Sequence, residues 1–408
     1  MWISLVAALC WHLLVRPLPP STTSVESTPV GAGTRHFLAV LGTVSILGAG
    51  LAGAWDEAWH NKYGIPFGED FYWRPHLLLY FSLVSFAATG LWGWWYILSR
   101  GHGTLQQRFR SNSLAAFAAI TSILLVAAVV GDPLWHAFYG ADLKAWSIPH
   151  LTLVSLTFVM AMQGMVFHGV PVDRARWAFV TRSGSAVLPG SLALTSGYLV
   201  AVQVFFSDWF RRPEPADWSR SVLEHPDWLL SAFVGLIGAF VGALATQATK
   251  RIGVATAIGL IGIGTRFAVQ AVIPGGRDGI GPLVLIALAL LATDVAQVPN
   301  LRRSMTVWAT PLTGLAVAIV VGLFANPLQV RWFPFLDSSP SAIALRFAAA
   351  LAGATLGAAL APAIARIVRT GGPVSPEERP ASWRWASVIY VFYAAFVLIV
   401  MVTAEPPI

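Results

Sequence analysis

About eleven apolar stretches, each long enough to cross the hydrocarbon layer of a bilayer as a helix, run along this chain. They fall at 37–58, 76–98, 113–133, 149–169, 187–207, 228–248, 252–273, 280–299, 305–325, 343–368 and 385–403. No other feature narrows the fold as much. Lipid offers no water to satisfy backbone N–H and C=O groups, so a lone spanning segment of this length must be helical. The expected fold class is all-α, a polytopic helical bundle in contact with the lipid bilayer. An ordinary water-soluble core is excluded by the balance of residue types, with 56% of the chain hydrophobic and 11% charged. Eighteen tryptophans fit the belts that form at membrane–water boundaries.

The basic residues sort by loop. With spans in strict alternation, one set of loops carries fifteen Lys and Arg residues, from Arg35 to Arg384; the other carries eight, from Lys62 to Arg331. The richer set is expected on the cytoplasmic side of a bacterial inner membrane, which puts the C-terminus outside. This layout accounts for the net charge of +7, so nucleic acid is not an expected partner. A single cysteine, Cys10, excludes an intrachain disulfide and a cysteine metal cage. Residues 1–36 form a separate stretch, an apolar run over 2–15 followed by Arg16 and a linker rich in Pro, Ser and Thr. It reads as a signal-like segment, an additional helix or upstream sequence; the missing basic start speaks against the first.

Two loops on the side with fewer basic residues share one order. The first reads Trp55-Asp56-Glu57-Ala58-Trp59-His60, then Tyr63-Gly64, Asp70, and Trp73-Arg74-Pro75-His76-Leu77. The second reads Gly131-Asp132-Pro133-Leu134-Trp135-His136, then Tyr139-Gly140, Asp142, and Trp146-Ser147-Ile148-Pro149-His150-Leu151. Each lies between two expected helices, so residues 37–170 read as a duplicated helix–loop–helix unit.

The spacing carries chemistry. An Asp and a His four apart share one helix face, about one turn from each other. Pro suits a first helical turn, where its missing N–H is not needed, so each Pro-His opens the following helix. Asp56, His60 and His76 are therefore expected to converge where two antiparallel helices meet at the outer face. Asp132, His136 and His150 are expected to do the same. Two imidazoles and a carboxylate suit copper, zinc or non-haem iron, and the donor set does not choose among them. The bland alternative makes Asp132 a cap for a helix restarting at Pro133. Trp59, Trp73, Trp135 and Trp146 read as interfacial anchors, and Tyr63 and Tyr139 as packing residues.

At these residues the chain resembles the C subunit of the particulate methane and ammonia monooxygenases, the copper membrane monooxygenases. That family carries an Asp-x-x-x-His site followed by Pro-x-His, and then an Asn-x-x-x-His site followed by Pro-x-His. Thirteen residues separate His136 from His150, the family's spacing at its second site. Asp132 stands where the family has Asn, the first loop is longer, and Pro is followed directly by His. The likeness covers about residues 37–170. It implies two copper sites, at Asp56, His60 and His76 and at Asp132, His136 and His150, near the outer face. Asp70 and Asp142 would then hydrogen-bond to the ligand imidazoles and orient them. It implies oxygen chemistry on a small apolar substrate; methane or ammonia oxidation is not carried over. A partner subunit with a periplasmic domain is expected because the spans leave the chain almost no soluble portion of its own.

Residues 171–408 hold the other seven spans. The helices over 228–368 are rich in Gly and Ala, as close packing or a homo-oligomer interface requires. Arg266 and Asp294 lie inside apolar spans, at depths that argue against direct contact. Glu224, His225 and Asp227 form a weak third cluster within a charged stretch over 208–227. Two other functions stay open. One is copper uptake or handling, disfavoured because no ladder of Met or Cys crosses the bundle. The other is a zinc- or iron-dependent membrane hydrolase or hydroxylase acting on lipid.

Overall fold

The computed structural model describes residues 8, 12, 13, 16, 30–63, 73–100, 102–139, 148–168, 178, 179, 192, 194–200, 202, 226–272, 280–302, 306–324, 337–370 and 383–404. Among these the chain is all-α, apart from a two-residue parallel pairing of β1 (Ala178–Phe179) with β2 (Arg251–Ile252). The first repeat supplies α1 (Ala32–Tyr63) and α2 (Arg74–Arg100). A short α3 (Leu105–Ser111) leads to the second repeat, α4 (Ser113–Tyr139) and α5 (Ile148–His168). Then follow α6 (Asp227–Thr249), α7 (Val254–Val272), α8 (Ile280–Arg302) and α9 (Thr306–Ile319). A π turn (Val320–Phe324) extends α9, and α10 (Pro340–Thr370) and α11 (Trp383–Thr403) complete the order.

Local chemistry sets several helix ends. Thr104 caps α3 by accepting from the Gln107 N–H, while the Gln107 side chain accepts from the Thr104 N–H. Lys250 takes a left-handed conformation, φ 55°, and Gly253 follows at φ 91°, which lets α6 turn within four residues into α7. Pro75 sits in the first turn of α2, as its missing N–H favours. The second repeat departs from one alternative. Asp132 and Pro133 lie inside a continuous α4, so Asp132 does not cap a restarting helix. Pro133 instead removes one N–H from the interior of that helix.

Among the described residues seven helices are long and apolar enough to cross a membrane: Gly33–Trp59, Arg74–Arg100, Leu114–Tyr139, Trp228–Thr249, Val254–Val272, Gly281–Val298 and Pro340–Ala365. Three shorter apolar helices are Leu151–Met165, Ala309–Leu323 and Val391–Thr403. The stretch expected at 187–207 lies largely outside the described residues; within it, 194–200 is helical. Outward faces are apolar too. Phe81, Val84, Leu91, Trp95 and Leu98 are exposed along α2, and Val391, Phe392, Phe396, Ile399 and Val402 along α11. A water-soluble fold would turn such faces inward, whereas a lipid-facing helix needs them where they are.

The helices close into two neighbouring rings. In the first, α1 packs on α2, α2 on α4, α4 on α5, and α5 back on α1, so the two repeats sit side by side around one core. In the second, α6, α8, α9 and α10 close in the same manner, with α7 against α8 and α6. One apolar core runs through both, from Leu38 and Phe86 to Ile286 and Val317. α11 lies against α1 and α7.

Polar side chains tie the first ring internally. Thr121 donates to Gln163 Oε1 at 2.7 Å, and Gln163 Nε2 donates to Thr89 Oγ1 at 3.2 Å, joining α4, α5 and α2. Interhelical hydrogen bonds of this kind are worth about 1 kcal/mol in membranes. Gln163→Leu should therefore lower thermal stability in detergent by about that amount. A midpoint unchanged from the parent would deny the clasp any net contribution. The N-terminal stretch is also engaged. Leu13 is buried against Ile97, Phe109 and Ala116, Gln106 Nε2 donates to the Arg16 carbonyl at 2.8 Å, and Arg110 donates to the same carbonyl.

Candidate metal centre

The first repeat brings two of its three expected ligands together. α1 continues past its apolar stretch to Tyr63, so positions 56 and 60 sit one turn apart on a single helix. α2 begins at Arg74, which places His76 in its first turn. Across the two helices, His76 Nε2 lies 2.9 Å from Asp56 Oδ1, with both side chains about four-fifths buried. That is ion-pair distance between an imidazole nitrogen and a carboxylate oxygen.

The second repeat has the same backbone plan. Positions 132 and 136 lie one turn apart near the end of α4, position 150 lies in the first turn of α5, and α4 packs on α5. The side chains of His60, His136 and His150 lie outside the described residues, as do Asp70, Asp142 and the cluster at Glu224 and His225. Among the described residues no three His, Cys, Asp or Glu side chains gather. The donor chemistry present at Asp56 and His76 fits a two-His, one-carboxylate set, position 60 being one helical turn from Asp56.

The two repeats differ in what surrounds them. Trp59 is buried, not an interfacial anchor. It makes edge contacts with Trp55, Tyr63 and Trp73, at centroid distances of 5.1, 5.9 and 5.6 Å. His76 lies between Trp73 and Tyr80, at 6.4 and 6.0 Å. Val269 of α7 and Val397 and Met401 of α11 complete this cluster, so the first centre is walled by helices from the second half of the chain. In the second repeat Phe138 and Tyr139 are 78% and 72% exposed, and Tyr139 stacks on Trp135 at 4.3 Å. Tyr139 is thus not the packing residue that its counterpart Tyr63 is. The main neighbours of α4 are α2, α3 and α5.

The intramembrane charges have separate partners. Asp294 of α8 accepts from the N–H and the hydroxyl of Thr256, both at 2.7 Å, and so caps α7 from a neighbouring helix. Arg266 of α7 reaches Glu57 of α1, Nη1 to Oε2 at 2.9 Å. Arg266 and Asp294 therefore do not rely on each other, in agreement with their different depths. Glu57 lies within the first repeat, but the repeat's spacing gives it no partner. The available signal was Arg266 itself, because an arginine inside an apolar helix calls for a carboxylate at matching depth.

Comparison with family models, curated proteins and solved structures finds no match to this chain.

Proposed function

We propose that this is a metal-binding, multi-pass integral membrane protein, the copper-bearing subunit of a monooxygenase-like enzyme. Its two N-terminal repeats would each hold one metal at the extracytoplasmic face of a bacterial inner membrane, in a bundle of about eleven spans. The observation that carries this reading is the Asp56–His76 contact, 2.9 Å across α1 and α2. The repeat's spacing calls for that convergence, and the same spacing recurs in the second repeat. His60 joins these two as a ligand, and Asp132, His136 and His150 form the second set. The motif resemblance to the C subunit of the copper membrane monooxygenases favours copper over zinc or iron.

The bound metal would supply oxygen activation. The chain's own residues provide the rest. Asp56 fixes the His76 ring by its 2.9 Å contact, and Trp73 and Tyr80 flank that ring. Trp55 and Trp59 exclude water from the helix behind the ligands. A small apolar substrate matches an apolar, aromatic surround at the membrane boundary. A partner subunit with a soluble domain would deliver electrons, since the described residues lie almost entirely in helices.

The test is elemental analysis of the protein in lipid nanodiscs beside a His60→Ala, His136→Ala double variant. About two copper ions per chain, lost in the variant, are expected from two complete donor sets. Zinc or iron in their place would shift the function to hydrolysis or iron-dependent hydroxylation. Failure of both proteins to hold metal after reconstitution would remove the ligand assignment.

A further inference from the structure

Asp56 and Glu57 are neighbouring acids on one helix, and the structure sends them in different directions. Successive residues on a helix are about 100° apart, so two adjacent carboxylates cannot face the same neighbour. Asp56 faces α2 and meets His76 at 2.9 Å. Glu57 faces α7 and meets Arg266 at 2.9 Å. Arg266 is 3% exposed and is the one charged residue of α7, so its charge calls for a carboxylate.

We infer that Arg266 is a positioning residue for the first metal centre. By engaging Glu57 it sets the rotation of α1 about its own axis, aims Asp56 at His76 and keeps Glu57 out of the ligand set. The inference rests on the metal reading above, and it gives the second half of the chain a role at the first centre. Two further observations agree with it. Val269, one turn beyond Arg266 on α7, packs in the cluster that holds Trp55, Ala58 and Trp59. The second repeat lacks the acid of this clamp: Pro133 stands where Glu57 stands in the first, and among the described residues α4 packs mainly on α2, α3 and α5. The two centres should therefore respond differently to a change at Arg266.

The experiment compares the parent chain with Arg266→Gln, Glu57→Gln and the Glu57→Gln, Arg266→Gln double variant, all in nanodiscs. One readout is copper titration with resolution of the two sites. The other needs no metal: the 15N shifts of His76 in histidine-labelled, metal-free protein, assigned with His76→Gln. In Arg266→Gln, copper affinity at the first site is expected to fall by about tenfold or more, the range for partners that orient ligands, with the second site unchanged. The His76 shifts should move as its contact with Asp56 is lost. The double variant, with no uncompensated buried carboxylate, should recover folded yield while the first site stays weakened. Equal weakening of both sites would overturn the inference by making the effect global. Unmoved His76 shifts in folded Arg266→Gln would overturn it directly. A parent chain that binds no metal while its His76 shifts still respond would instead remove the metal reading and leave the clamp standing.

Discussion

Asp56→Ala is expected to lower copper affinity at the first site by more than about 100-fold, beyond the 10–100-fold that a merely orienting partner gives. The second site should keep its affinity, because Asp132 lies on another helix, α4. The argument starts from the contact of Asp56 with His76 at 2.9 Å. A carboxylate that close to an imidazole either shares a metal with it or orients it. Removing a ligand strips a charged donor from the metal, whereas removing an orienting group leaves the donor count intact and only loosens the ring. Metal titration in nanodiscs separates the two. A loss within the orienting range would move Asp56 behind His76 and make His60 and His76 the ligands of the first repeat. No loss at all would end the assignment. The fold should survive the change, since Asp56 is partly exposed and Ala is a strong helix former.

Gly353→Leu is expected to destabilise the bundle by about 3 kcal/mol or more, at the upper end for overpacking. α6 and α10 make the most extensive helix contact in the structure. Their backbones touch because glycines face the opposite chain. A Cβ at Gly353 would collide with the Ala232 carbonyl, and one at Gly357 with the Leu236 carbonyl. A Cβ at Gly235 would come within 2.5 Å of the Ala350 carbonyl. These obstacles are backbone, so no side-chain rotation relieves them, and the helices must separate along their length. Close approach is the main source of helix association in lipid, where no hydrophobic drive acts between apolar faces. Thermal unfolding and the yield of monodisperse protein report the loss. Gly264→Ala is the control: a Cβ there meets nothing within 4 Å, so stability should hold or rise slightly. A leucine at 353 as well tolerated as alanine at 264 would refute the packing of α6 on α10.

Much of the fold can be read from the chain because lipid imposes simple demands. A helix must satisfy its own backbone and match the thickness of the hydrocarbon, so apolar run length marks an element without reference to its neighbours. That is why the stretches at 228–248 and 280–299 reappear within α6 and α8. The same local logic placed positions 56 and 60 on one helix and His76 at the opening of the next. It failed where a side chain's surroundings decide. Trp59 has the composition of an interfacial anchor, yet α7 and α11 cover it, and those helices lie two hundred or more positions along the chain.

Local sequence sets the all-helical class of the chain, the repeated motif and the turn-by-turn spacing of its acids and histidines. These follow from the 3.6-residue period and from Pro chemistry, both local. The fold had to supply what the second of two adjacent acids faces. The repeat's spacing pairs Asp56 with the histidines and gives Glu57 no partner. The rotation of α1 about its axis settles the matter, and that rotation is set by a ring of neighbours: His76 on α2, Arg266 on α7 and the apolar face of α11. A helix carries its periodicity within itself, but its facing is fixed by what it packs against.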